Sequence, residues 1–184
     1  MVDRERAARA LREFLDALGI ESAEIGETPR RVVDAWVDEL LEGYRVDVKG
    51  VLRENLIPRT ASTSDVVIVR DIQVTTMCPH HLMPGVGTAT VSFEPAKSVV
   101  GVGAVASIVH ALSRRLSLQE AIGEEVALAI HDALAANWAA CRLVLSHTCM
   151  TARGERAHGA RLETLAIAGV GDRAAIERSV GLGK

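Results

Sequence analysis

Residues 65–93, DVVIVRDIQVTTMCPHHLMPGVGTATVSF, decide what kind of fold this chain can form. Val66-Val67-Ile68-Val69, followed by Ile72 and Val74, is rich in β-branched residues and predicts strand. Cys78 to Pro84 interrupts it. Thr88 to Phe93 resumes as another strand, which Pro95 stops.

The flanks have a different period. Upstream, Ala7, Leu11, Phe14, Leu15 and Leu18 recur at helical spacing and predict an amphipathic helix ending near Gly19. A second helix is expected from Thr28-Pro29, a capping residue followed by proline in the first turn. Its buried stripe would be Val32, Val33, Trp36, Val37, Leu40 and Leu41, with Gly43 closing it. Residues 44–64 show no period and predict a connection. Downstream, Val105, Ile108, Val109, Leu112 and Leu116 fit one helix, and Ile122, Val126, Ile130 and Leu134 fit another ending near Asn137. Arg142 to His147 and Leu162 to Ala168 predict two more strands, and nothing is predicted after Gly169. Helices and strands in blocks give an α+β fold with an antiparallel sheet, not an alternating doubly wound one. The expected division is an N-terminal helical segment, residues 1–60, and a sheet-containing catalytic domain, residues 61–184.

Bulk properties narrow the function classes. The chain has 184 residues, 48% of them hydrophobic but only 3% aromatic, so its core must be aliphatic. A net charge of -3 gives no electrostatic footprint for nucleic acid, and an anionic substrate would need a local cluster of arginines. The N-terminus is charged throughout. The longest apolar run, Val99 to Ala106, is far below the ~20 residues that span a bilayer. Three cysteines do not suggest a disulfide framework. The expectation is a reduced, cytoplasmic protein with no nucleic-acid or membrane partner.

Chemistry concentrates at two places. In Cys78-Pro79-His80-His81, a Cys-x-x-His step lets two side chains of one turn reach one metal ion. In His147-Thr148-Cys149, residues two apart on a strand would face the same side. Cys78, His81 and Cys149 would supply three ligands, leaving a tetrahedral position open as in a catalytic zinc site. Two thiolates favour zinc over iron. His80 and His147 would then be free to carry protons. The alternatives are a Cys78–Cys149 disulfide or plain structural residues. Glu120, three after Ser117, fits a capping box and could simply cap a helix. Arg31 and Arg153 are either surface arginines or the local positive charge that an anion requires. Gly101-Val102-Gly103 resembles a dinucleotide loop, but the βαβ order that loop needs is missing.

Taken together, these residues resemble the GTP cyclohydrolase I family over roughly residues 27–154. The resemblance rests on Glu27-Thr28-Pro29-Arg30-Arg31, on Cys78-Pro79-His80-His81-Leu82-Met83-Pro84 with Gly87, on Gln119-Glu120, and on His147-Thr148-Cys149-Met150-Thr151-Ala152-Arg153-Gly154. It implies the tunnelling fold, a curved antiparallel sheet backed by helices, assembled as a homo-oligomer that in this family is a toroidal decamer. It implies a zinc cofactor and hydrolytic opening of a purine imidazole ring at C8, taking GTP to formate and a dihydropterin. It implies that His80 and His147 move protons, that Glu120 assisted by Gln119 holds the guanine edge, and that Arg31 and Arg153 serve substrate binding.

The chain departs from the family pattern in several places. Pro79 replaces a glutamate, Gly101-Val102-Gly103-Ala104 replaces a GLSK segment, and Ser107 replaces an arginine. Glu155 to Ala160 replaces a Thr- and Ser-rich stretch. These departures leave room for a paralogue acting on an unphosphorylated purine-like or cyclic amidine substrate. A non-catalytic zinc-containing subunit, or a lyase or epimerase acting on a finished pterin, are the rivals from other classes.

Overall fold

The computed structural model describes residues 2–59 and 66–182. They form two compact units, one up to Glu42 and one from Gly43 onward. The expected strand start at Asp65 and the end of the expected connection, residues 60–64, lie outside the described residues.

In the first unit, α1 (Arg4–Ala17) is capped by Asp3, whose side chain accepts from the Arg6 N–H. Helix α2 (Thr28–Ala35) starts on Glu27, not on a Thr28 cap, and continues as a π-helical turn over Trp36–Leu40. Arg4 joins the two helices, at 2.7 Å from Asp34 and 2.6 Å from Asp38. The apolar stripes are much less covered than the pattern suggests. No residue of α1 is buried, and only Pro29 and Val33 of α2 are.

The second unit holds the sheet. Strands β2 (Val67–Met77), β3 (Pro84–Glu94), β5 (Trp138–His147) and β6 (Leu162–Gly169) form one antiparallel sheet in the order β2-β3-β5-β6. A short pair, β1 (Leu56–Pro58) and β4 (Ser98–Val100), forms a second sheet. Helices α4 (Val102–Ser113) and α5 (Gln119–Leu134) join β4 to β5, and α3 (Val48–Glu54) packs with them. The expected connection over 44–64 is therefore partly structured, by α3 and β1. Helix α7 (Arg173–Ser179) is the last element among the described residues, where none was expected.

Alternation along the strands explains the layers. Ala139, Cys141, Leu143 and Leu145 of β5 join Ala89, Val91 and Phe93 of β3 in one core with Ile108, Ile122, Val126 and Ile130 of α4 and α5. On β5, Trp138 and Ala140 belong to a separate cluster with Ile176 and Val180 of the C-terminal segment. The result is the expected α+β arrangement, an antiparallel sheet backed by helices.

The sheet is irregular where β2 bends. Its register against β3 shifts between Val69 and Ile72, and Asp71 there has φ +56°. Gly87 is required by the close approach of β5. A Cβ at this position would overlap the Val144 carbonyl and lie 2.9 Å from Leu145 Cα. Gly87→Ala should destabilise the protein by ~1–3 kcal/mol, read as a lowered urea midpoint. Gly103→Ala, in α4 with nothing within 4 Å of the new methyl, should leave the midpoint unchanged or raised.

Candidate metal centre and active site

Register brings the two chemical segments to one end of the sheet. The β2–β3 ladder ends at Met77 opposite Pro84, and the β3–β5 ladder ends at Gly85 opposite His147. The Cys78–Met83 turn and the residues after His147 must therefore be neighbours. The turn is closed by Leu82 N–H to Cys78 O at 2.9 Å and Cys78 N–H to Met83 O at 3.0 Å, with Leu82 in the left-handed region at φ +53°.

Cys149 arrives by a route the sequence did not suggest. Strand β5 stops at His147, and Thr148–Thr151 forms a single helical turn, α6. Strand alternation therefore does not place Cys149 beside His147. The chain turns because Thr148 Oγ1 donates to Pro84 O at 2.7 Å and Thr151 Oγ1 to His147 O at 3.3 Å.

Cys78, His81 and Cys149 offer ligand atoms that all lie within 4.8 Å of one another. Cys78 Sγ is 3.7 Å from His81 Nδ1. Zinc bonds of ~2.3 Å to sulfur and ~2.0 Å to nitrogen at a tetrahedral angle put such a pair ~3.5 Å apart, so the donor set fits the ion. All three cysteines are free, so no Cys78–Cys149 disulfide forms. Burial and then the neighbouring Cys78 push the Cys149 thiol up, while Arg153 pulls it down. A cation bound between the two sulfurs would offset the repulsion that Cys78 imposes on a Cys149 thiolate. Cys141 is unlike them: burial in the core pushes it up to about 12, and it has no such neighbour.

A cavity of about 430 Å³ adjoins the cluster. Cys78, Cys149, Gln119, Glu120, His147 and Arg161 are among its walls, with Leu118 and Met150 adding apolar surface. A larger cleft of about 660 Å³, by α3 and α5, has no cysteine or histidine in its walls and lies apart from this chemistry. Glu120 is not in a capping box. Helix α5 opens on Leu118 without a side-chain cap, and Ser117 Oγ contacts Leu118 O instead. Glu120 is exposed, in the first turn of α5, and free to meet a ligand.

Gln119 is 2% exposed, and its amide nitrogen is turned into the protein. Its Nε2 donates to Leu143 O at 3.2 Å, Leu162 O at 3.1 Å and Thr164 Oγ1 at 3.1 Å. Two of these are carbonyl oxygens, which only accept, so the amide orientation is fixed. Its Oε1 then faces His147 Nε2 at 2.9 Å, and this ring nitrogen must carry the hydrogen. In a neutral ring, Nδ1 is left as the proton acceptor. Gly85 keeps that side clear, since a Cβ there would stand 2.9 Å from Nδ1. Burial lowers the His147 pKa from its ordinary value, opposed in part by Glu120.

His80 is exposed and stands edge-on to His81, with ring centroids 6.2 Å apart. Arg153 is exposed and close enough to influence Cys149. Arg31 belongs to the first unit, in the first turn of α2.

The sequence profile of GTP cyclohydrolase I matches residues 7–181. The chain belongs to the GTP cyclohydrolase I family. Curated relatives agree: GTP cyclohydrolase 1 of Caldanaerobacter subterraneus subsp. tengcongensis is 36% identical over 92% of this chain and 90% of its own length. That of Thermoanaerobacter pseudethanolicus is 35% identical over the same shares, and that of Rickettsia felis 31% over 91% and 88%. Among solved structures, the archaeosine synthase QueF-Like in the apo form aligns with 61% of this chain and 100% of its own at 15% identity and a TM-score of 0.48. Membership places this chain among hydrolases of cyclic amidine C–N bonds.

The segment that departs from the family's GLSK pattern, with Ser107 after it, carries no charge. Ala104 is 6% exposed within the core, Gly103 opens onto solvent, and Ser107 Oγ is turned to Gly103 O at 2.9 Å. The cavity wall also includes Arg161, which sequence reading missed. It belongs to no motif, and its position shows only once β6 is paired.

Two outcomes are expected. Purified wild-type protein should retain zinc through gel filtration, and Cys149→Ala should lose it, measured by atomic absorption. Gln119→Leu should lower stability by roughly 2–5 kcal/mol in urea, because it strands buried carbonyls and the His147 N–H together.

Proposed function

We propose that this chain is a zinc-dependent GTP cyclohydrolase I, opening the imidazole ring of GTP at C8 and releasing formate. One observation carries the reading: Cys78, His81 and Cys149 cluster beside the cavity that also presents Glu120 and His147. When bound, zinc supplies the Lewis acidity that makes water nucleophilic at neutral pH and polarises the ring.

The chain's own residues supply the rest. The Glu120 carboxylate accepts the paired N–H groups of the guanine edge and so fixes which ring atom faces the cluster. His147 is held as the Nε2–H tautomer by Gln119, with Nδ1 ready to take a proton. The lowered pKa keeps it unprotonated and able to act as a base at neutral pH. His80, exposed beside His81, is the second proton carrier. Arg153 and Arg31 are the candidates for substrate phosphate. Gln119 serves the site through His147. Homo-oligomerisation, with a decamer as the family's form, completes the proposal. Among the described residues no helix is long and apolar enough to cross a membrane.

A second reading is favoured by one observation. The uncharged Gly103, Ala104 and Ser107 suit an unphosphorylated purine-like substrate better than a triphosphate.

Zinc-loaded protein given GTP should release formate and form a fluorescent pterin. His147→Ala should lower kcat by ~10²–10⁴ while zinc content is unchanged. Formate from guanosine but not from GTP would select the second reading. An unaffected His147→Ala enzyme would remove that residue from the mechanism.

His147 also predicts a pH effect on the metal-free protein. Its folded pKa is depressed, so the unfolded chain binds the proton more readily. The stability contributed by this site is full above the unfolded histidine value of ~6.5 and is lost as pH falls toward the folded one. His147→Gln should flatten that part of the urea-midpoint profile.

A further inference from the structure

Leaving aside the histidines and cysteines, the cavity beside the metal cluster has two formal charges in its wall, Glu120 and Arg161. The ionised Glu120 carboxylate can only accept hydrogen bonds, so it suits the donor edge of a ligand and not its anionic part. Arg161 is exposed and makes no ion pair or hydrogen bond to another side chain among the described residues. Nearby arginines behave differently. Arg142 is bound to Glu163 at 2.6 Å and to Val180 O at 3.0 Å, and Arg70 to Ser179 O at 2.9 Å.

The backbone at Arg161 is held from both sides. Leu162 begins β6 opposite Leu145, and its carbonyl accepts from the buried Gln119 amide at 3.1 Å. On the other side the Ala160 N–H donates to Ala157 O at 3.1 Å, closing a turn. The amide that orients His147 therefore also fixes the residue next to Arg161. A guanidinium carried on a held stretch of backbone in the wall of a ligand cavity, with no partner among the described residues, is suited to anionic oxygen.

We infer that Arg161 is a substrate-binding and specificity-determining residue, taking an anionic oxygen of a phosphorylated substrate whose N–H edge is held by Glu120. The inference rests on the cyclohydrolase reading for the nature of the substrate. It adds to that reading a cation inside the cavity itself, in a chain whose net charge of -3 does not attract anions.

Binding separates this inference from the function. Calorimetry on zinc-loaded protein would compare GTP with guanosine for wild type, Arg161→Met and Arg161→Lys. Wild type should bind GTP more tightly than guanosine. Arg161→Met should weaken GTP roughly ten- to a hundredfold, the worth of one charge-assisted bond, and leave guanosine within about twofold. Arg161→Lys should recover part of the loss. Equal affinity of wild type for the two ligands, or an Arg161→Met effect that is absent or alike for both, overturns the inference. Formate release is followed in parallel. Tight, Arg161-dependent GTP binding without formate would keep the inference and sink the proposed reaction. Formate release with an unchanged Arg161→Met would do the reverse.

Discussion

The side-chain amide of Gln119 joins parts of the chain far apart in sequence, and the site is built around it. Its two hydrogens serve three acceptors, Leu143 O on β5 and Leu162 O and Thr164 Oγ1 on β6, while its oxygen takes the His147 N–H. At 2% exposure water cannot replace any of these partners, so the whole set forms together or costs the protein several unsatisfied groups. One constraint thus sets the tautomer of His147, the start of β6 and the inward turn of α5. The same inward turn leaves the next residue, Glu120, facing the cavity. Adjacent residues of one helix divide the work because they lie about 100° apart around its axis, so one is buried while the next is exposed.

Register does the remaining positioning. A ladder ending at Met77 and Pro84 and another ending at Gly85 and His147 put both candidate metal-ligand segments at one end of the sheet. The three cysteines show how much depends on place. Cys141, paired with Val91 in mid-sheet, is an aliphatic-like core residue with a thiol pushed far up by burial. Cys78 and Cys149, just past strand ends, meet each other and His81. Gly87 and Gly85 keep this edge close-packed, one giving room to the β5 backbone and the other to the His147 ring.

Much of this was legible in the chain before folding. β-branched runs announced β2, and aliphatic residues at three- and four-residue spacing announced α4 and α5, because periodicity reports which face is buried. The grouping of Cys78, His81 and Cys149 was legible from residue chemistry and from the order of the motifs. Less legible were α3, β1 and α7, short elements stabilised by what they pack on more than by their own pattern. The apolar stripes of α1 and α2 promised burial that the described chain gives only to Pro29 and Val33. A stripe states that a face is apolar, not what will cover it.

The sequence by itself determined the α+β order, the aliphatic core and which residues are the candidate metal ligands, since these follow from local periodicity and from which side chains can donate to a metal. Only the tertiary structure decided how those ligands meet and what surrounds them. It replaced an expected strand by the turn of α6, made Gln119 a buried support and freed Glu120 from a capping role. It also set Arg161 in the cavity wall. These outcomes depend on strand register and on hydrogen bonds between residues up to 64 positions apart, and no local pattern in the chain encodes them.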